Sequence, residues 1–167
     1  MSALRIDVAD LLTHAGARRP LHLEAVIPGL GARAARVDRP VVLDLLLERV
    51  PDGIVARGTV HARWESECST CLRDLAAQLD ASVVELYESV PVDGETYPIE
   101  GHEIDLEQLV RDAVLLELPL APTCATTGGG ATCRPVAVLG DLAAEEAHSA
   151  DDVLADPRWA VLSELEL

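Results

Sequence analysis

Four cysteines are the residues of this chain whose type and spacing could do chemistry. Cys68 and Cys71 are separated by two residues, and Cys124 and Cys133 follow with eight residues between them. Two thiolates this close in a tight turn can share one metal ion, because structural zinc takes four ligands and binds sulfur at about 2.3 Å. The first pair therefore predicts half of a structural zinc site, and the wider second pair could supply the other half.

Three interpretations of these cysteines stay open from the residues alone. They form one structural zinc site, they are thiols without a metal, or they serve a redox or disulfide role, which is unusual where thiols are kept reduced. A CxxC thiol oxidoreductase needs Cys68 to open a helix, because the helix dipole lowers the pKa of the first thiol. Glu65 and Glu67 oppose this role, since nearby negative charge raises the pKa of a thiol.

The sequence contains none of the common catalytic motifs. There is no H-E-x-x-H, no G-x-S-x-G, no phosphate-binding P-loop and no G-x-G-x-x-G. A zinc deaminase is a poor match, because Glu67 rather than proline precedes the first cysteine pair and His102-Glu103 lacks the spacer of the H-x-E motif. We therefore expect a protein that is not an enzyme, has no catalytic residues and takes no small-molecule substrate. The histidines are scattered along the chain at His14, His22, His61, His102 and His148.

The charge of the chain is strongly negative and uneven. Its formal net charge is −16, yet residues 1–39 hold six arginines against four acidic residues. An acidic surface repels the phosphate backbone of nucleic acids and attracts basic proteins. We therefore expect a basic protein partner. The arginine-rich start is either a solvated loop of an acidic protein or a local contact with RNA or an acidic partner, with Arg33, Arg36 and Arg39 as the candidate RNA-binding residues.

Apolar residues that recur every two residues, or every three to four, predict the strands and the helix that position these side chains. Residues 21–27 alternate as a strand, and residues 41–49 and 54–65 predict a long hairpin around the turn at 51–53. Trp64 falls on the apolar face of the second strand and is expected in the core. Residues 30–40 are interpreted as a loop.

The second half of the chain is less uniform. Residues 72–88 fit both a helix and a strand, because their leucines recur at both spacings. Residues 91–103 are interpreted as an acidic loop. A helix is predicted from Asp105, whose carboxylate can cap free N–H groups in a capping box with Gln108, and Pro119 stops this helix.

Length and composition predict one domain over residues 1–133, followed by an acidic, partly disordered tail over residues 134–167. Residues 156–162, which include Trp159, are expected to anchor this tail. The sequence has no apolar run long enough to span a membrane and does not begin like a secretory signal, so the expected location is the cytoplasm, with no membrane contact.

Several segments together resemble the YceD family of large-subunit ribosomal RNA accumulation proteins. They keep the order and spacing of that family over about residues 3–124 and again near the end. The matching segments are RIDV at 5–8, DGIVARGTV at 52–60, CSTCL at 68–72, YPIEGHEIDL at 97–106, VRDAVLLELPLAPTC at 110–124 and DPRW at 156–159.

This resemblance implies a bacterial accessory role in ribosome biogenesis, namely the accumulation or processing of large-subunit (23S) ribosomal RNA. It also implies an α+β fold with a long antiparallel β-sheet and one main C-terminal helix, which favours a strand at residues 72–88. The expected partner is a basic ribosomal protein or assembly factor of the large subunit. Direct rRNA binding through the N-terminal arginine loop is the alternative, and a CxxC thiol oxidoreductase is the third hypothesis.

Overall fold

Two long hairpins dominate the computed structural model, which describes residues 4–128 and Cys133. Strands β4 (Val41–Val50) and β5 (Gly53–Glu67) form the predicted antiparallel hairpin, and β6 (Asp74–Glu88) pairs with β5 along almost its whole length. The side chains of β5 alternate as predicted, and Trp64 is buried. The remaining elements are β1 (Arg5–Asp7), α1 (Ala9–Thr13), β2 (Arg18–Ala25), β3 (Ala35–Arg36), β7 (Tyr97–Glu100), β8 (Glu103–Asp105) and α2 (Glu107–Glu117).

The strands form one curled, mixed sheet in the order β1-β8-β7-β6-β5-β4-β2, and β3 pairs with the far end of β5. Every pairing is antiparallel except that of β6 with β7, which places Tyr87 beside Tyr97. The two tyrosine rings stack with their centroids 5.2 Å apart. The predicted α+β class, with its long antiparallel sheet and one main helix near the C-terminal end of the described residues, is confirmed.

The ambiguous segment at 72–88 is a strand rather than a helix. Pairing with β5 buries Leu75, Leu79 and Val83 on the packed side of the sheet, so the period of two prevails over the helical spacing. Two loop predictions are wrong in part. Residues 91–103 include β7 and the start of β8, and residues 30–40 include β3.

Helix α2 begins at Glu107, two residues later than predicted, and ends before Pro119. The carboxylate of Asp105 accepts a hydrogen bond from the N–H of Glu107 at 2.9 Å, which is the capping role predicted for it. The capping box itself is absent, because the Gln108 amide donates to Asp112 instead.

The core lies between the packed side of the sheet and α2, which contacts β5 and β6. It is built from aliphatic side chains, as the absence of phenylalanine requires. The largest fully buried side chains are Tyr87, Leu4, Leu11, Leu30, Leu43, Leu47, Ile54, Ile104, Leu106 and Leu109. Burial of this apolar surface supplies most of the driving force for folding.

No helix within residues 4–128 is long and apolar enough to cross a membrane. The predicted acidic tail at 134–167, with its Trp159 anchor, lies outside the described residues.

Candidate metal centre

The first cysteine pair lies in the tight turn that joins β5 to β6. Cys68 follows directly after β5, and its N–H donates to the carbonyl of Arg73 at 2.8 Å, while the N–H of Leu72 donates to the carbonyl of Cys68 at 2.9 Å. Leu72 closes the turn with a φ of 57°, the left-handed region that usually needs glycine. The turn therefore folds back on itself and brings the sulfurs of Cys68 and Cys71 to the same side of the turn.

The second pair reaches the same place after α2. The N–H of Ser69 donates to the carbonyl of Pro122 at 2.8 Å and ties the returning chain to the turn. Two residues later Cys124 is buried, and Cys133 is half-buried against the core. All four predicted metal-binding residues are thus brought together, although 53 positions separate Cys71 from Cys124.

The four sulfurs of this cysteine cluster (Cys68, Cys71, Cys124 and Cys133) lie within 4.8 Å of one another. The Sγ atoms of Cys68 and Cys133 are 3.5 Å apart, as are those of Cys71 and Cys124. Metal–sulfur bonds of about 2.3 Å in a tetrahedron separate the sulfurs by about 3.8 Å. The cluster therefore fits a tetrahedral metal ion with little movement of its side chains.

The cysteines of this cluster have unequal acidities. Burial raises the pKa of Cys68, but hydrogen bonds from the N–H groups of Cys71 and Thr70 outweigh it and bring this pKa down to about 6. The Arg73 side chain lowers the pKa of Cys71. The pKa of Cys124 rises because it shares a hydrogen bond with Cys71, and that of Cys133 rises because it shares one with Cys68. Each of the two more acidic thiols is therefore paired with a less acidic one.

Arg73 is the residue of this site that the sequence interpretation missed. Its Nε donates to the sulfur of Cys71 at 3.4 Å, and a second guanidinium nitrogen donates to the sulfur of Cys124 at 3.5 Å. One cation thus contacts one sulfur from each half of the cluster, and it favours the thiolate state that metal ions bind. Its position two residues after Cys71 was the available signal.

The structure also bears on the thiol oxidoreductase hypothesis. A strand, β6, follows the cysteine pair instead of a helix. The segment after Cys71 therefore does not provide the helix dipole that the redox interpretation requires.

The candidate RNA-binding residues are all exposed. Arg36 forms an ion pair with Asp38 at 2.6 Å, and Arg39 lies 3.6 Å from a carboxylate oxygen of Glu65. Arg33 and Arg36 line a pocket of about 520 Å³ whose wall also includes Cys68. RNA binding by the three arginines stays a prediction.

Comparison with known proteins identifies the family of this chain. The family model of the large ribosomal RNA subunit accumulation protein YceD matches residues 56–166, which include both cysteine pairs. The chain belongs to the YceD family. This family is named for accumulation of the large ribosomal RNA subunit, and its match bears out the resemblance found from the sequence motifs.

Mycobacterial proteins resemble this chain over three quarters or more of its length. Uncharacterized proteins of Mycobacterium bovis and Mycobacterium tuberculosis are 33% identical over 98% of this chain and 82% of their own length. An uncharacterized protein of Mycobacterium leprae is 35% identical over 75% of this chain and 59% of its own length. No solved structure matches the chain.

Proposed function

We propose that this YceD-family protein is a non-enzymatic, cytoplasmic accessory factor in ribosome biogenesis. It supports the accumulation or processing of large-subunit (23S) ribosomal RNA by binding a basic ribosomal protein or assembly factor, and the cysteine cluster holds one structural zinc ion.

The observation that carries the choice of partner is the charge of the second half of the fold. Residues 74–117 contain twelve acidic residues and one arginine, and they form β6, β7, β8 and α2. These elements are neighbours in the sheet and in the packing against it. A surface with this excess of carboxylates attracts cationic polypeptide and repels RNA phosphates.

The zinc assignment is supported by the chemistry of the donors. Four cysteines in a tetrahedral arrangement are a common ligand set of structural zinc sites, and an all-sulfur set disfavours magnesium and calcium, which prefer oxygen. With all four positions taken by protein sulfur, no place is left for a reacting water molecule. A zinc ion here would link the β5–β6 turn to the chain that follows α2.

Affinity purification of the tagged protein from cells, at physiological salt and with and without ribonuclease, tests the choice of partner. We expect a basic protein of the large subunit, identified by mass spectrometry, to stay bound after the RNA is digested. Recovery of RNA without any ribosomal protein would contradict the proposal. Metal analysis of the same protein tests the zinc assignment, with about one zinc ion expected per chain.

Direct rRNA binding is the second candidate, and the exposed Arg33, Arg36 and Arg39 favour it. It predicts that binding to 23S rRNA fragments weakens with salt, and that the slope of log K against log salt decreases when Arg33 and Arg36 are changed to alanine. The matched control is Arg63→Ala, an exposed arginine on β5. An equal slope in all three proteins would exclude this candidate.

A further inference from the structure

The four sulfurs of the cysteine cluster are also arranged as two close pairs. The Sγ atoms of Cys68 and Cys133 are 3.5 Å apart, and so are those of Cys71 and Cys124. Each pair joins one cysteine of the β5–β6 turn to one cysteine of the chain that follows α2. Both separations are shorter than the roughly 3.8 Å that a tetrahedral metal ion imposes on its sulfur ligands. The two pairs use every sulfur once and leave no thiol over.

The separations within the two pairs also suit a covalent bond. A disulfide holds its sulfurs about 2.05 Å apart, so each pair would have to close by about 1.5 Å, which rotation of the two side chains can achieve. The backbones of the two halves already meet here, because the N–H of Ser69 donates to the carbonyl of Pro122 at 2.8 Å. Both bridges can therefore form with little movement of the backbone.

The two members of each pair differ in their exposure to solvent. Cys71 and Cys133 are half-buried, whereas Cys68 and Cys124 are buried. A small oxidant can therefore reach one sulfur of each pair, and the other sulfur lies beside it. Cysteines that sense oxidants have this arrangement, in which an accessible thiol stands next to a second cysteine that resolves it into a disulfide.

The guanidinium of Arg73 supports one of the two pairs directly. It donates to the sulfur of Cys71 at 3.4 Å and to that of Cys124 at 3.5 Å. These two contacts hold the sulfurs side by side, although they come from different halves of the cluster. Arg73 therefore favours a bridge from Cys71 to Cys124 over one from Cys71 to Cys68 within the turn.

We propose that the cysteine cluster is a reversible redox site, in which hydrogen peroxide joins Cys68 to Cys133 and Cys71 to Cys124. Peroxide oxidises the accessible thiolate of a pair to a sulfenic acid and releases hydroxide. The buried partner thiolate then attacks this sulfur, the S–S bond forms, and a second hydroxide leaves. Each pair thus gives two electrons to one peroxide molecule, and a metal ion that loses these four ligands is released.

Reduction reverses this reaction by thiol–disulfide exchange, in which two small thiols become one disulfide for each bridge that opens. Disulfides in reducing compartments are typically transient and serve catalysis or redox sensing, which agrees with a bridge that forms only under oxidant. The inference rests on the proposed function for the release of zinc and for the reducing compartment. The bridges themselves rest on the positions of the sulfurs.

The test uses the full-length protein, treated with a small excess of hydrogen peroxide and then with N-ethylmaleimide to block the remaining thiols. Trypsin cuts after Arg63, Arg73 and Arg111, so Cys68 and Cys71 share one fragment, and the other two cysteines share a second fragment. Mass spectrometry without reductant should find these two fragments joined to each other by two disulfides. Treatment with dithiothreitol should separate them again.

Two double variants test which sulfurs form the pairs. Cys68→Ser with Cys133→Ser leaves the close pair of Cys71 and Cys124, and this variant should still form its bridge. Cys71→Ser with Cys133→Ser leaves Cys68 and Cys124, which are both buried. This variant should form a bridge at least about tenfold more slowly, because the accessible member of each pair is missing. Circular dichroism checks that both variants are folded, and equal rates in the two would contradict the pairing.

The outcomes separate this inference from the zinc assignment, because a chromophoric chelator reports the release of zinc independently. If the protein holds no zinc but forms both bridges, the zinc assignment fails and this inference stands. If the protein holds zinc and its four thiols resist peroxide, the zinc assignment stands and this inference is overturned. Separate fragments with internal disulfides, or sulfinic acids without bridges, would also overturn it.

Discussion

The core under α2 and the cysteine cluster belong to the same folded unit but are stabilised in different ways. The core is closed by aliphatic side chains such as Leu43, Ile54 and Leu109, each of which contributes about 1.5–3 kcal/mol through burial. The cysteine cluster gathers four sulfurs and one arginine around a point that suits a cation. This difference predicts that the sheet folds without a metal ion, and that an ion bound by the cysteine cluster would stabilise mainly the β5–β6 turn and the chain that follows α2.

The largest expected effect comes from the core. Leu109→Ala should lower the free energy of unfolding by about 2–5 kcal/mol, because a fully buried leucine leaves a cavity. Leu116→Ala on the same helix is the control and should change it by less than about 0.5 kcal/mol, since Leu116 is 86% exposed. Urea denaturation followed by circular dichroism measures both. Equal losses would show that α2 does not pack as described.

Loss of a cluster cysteine should change metal binding and leave the sheet folded. Cys124→Ser should weaken zinc binding by more than the roughly 10- to 100-fold typical of an outer-shell partner, because a direct ligand is removed. Ser69→Ala, in the same turn, should bind zinc like the unmodified protein. Competition with a chromophoric chelator measures the affinity.

Hydrogen exchange of the metal-free protein tests the same difference between the core and the cysteine cluster. Removal of zinc should speed amide exchange at 68–73 and 122–127 and leave β4 and α2 protected, since these depend on the core. Uniform loss of protection would mean that the cluster also holds the sheet together.

A smaller effect is expected from Arg73. Arg73→Gln should weaken zinc binding by roughly tenfold, because the guanidinium no longer offsets the charge of two thiolates. Arg63→Gln, on the exposed side of β5, is the control for a general change of charge. The same chelator competition measures both, and an equal affinity in the two variants would exclude a specific role for Arg73.

The smallest effect is expected at Leu72. Leu72→Gly removes about 1–2 kcal/mol of backbone strain from the folded state. It also makes the unfolded chain more flexible, which stabilises the unfolded state by about 0.4–1 kcal/mol, so the free energy of unfolding should rise by about 0.5 kcal/mol. Leu120→Gly is the control, since Leu120 is exposed and has no strained φ. A loss of stability in Leu72→Gly would show that the leucine side chain makes contacts that outweigh its strain.

Local pattern was enough to predict the long hairpin and α2. Each has one buried face, so its period of two or of about 3.6 residues is visible in the sequence. Residues 72–88 stayed ambiguous because leucines occur at both spacings, and only pairing with β5 decides between them. The short strands β7 and β8 were missed because Pro98 and Gly101 are typical of turns, although Ile99 and Ile104 are buried.

The cysteine cluster was predicted as a set of residues but not as a geometry. The eight residues between Cys124 and Cys133 do not indicate a tight turn, and it is the return of the chain after α2 that brings both to Cys68 and Cys71. Arg73 was missed because its position two residues after Cys71 belongs to no known motif and its contact with Cys124 spans 51 positions.

The long separation between the two halves of the cluster affects the order of events during folding. A bridge from Cys71 to Cys124 closes a loop of 53 residues, and closing such a loop in the unfolded chain costs about 4 kcal/mol of entropy. The strands β6 to β8 and α2 all lie inside this loop, so their assembly brings the sulfurs together before an ion can bridge them. We therefore predict that binding of a metal ion would be a late step, and that a bound ion would act mainly by slowing the unfolding of a chain that has already folded.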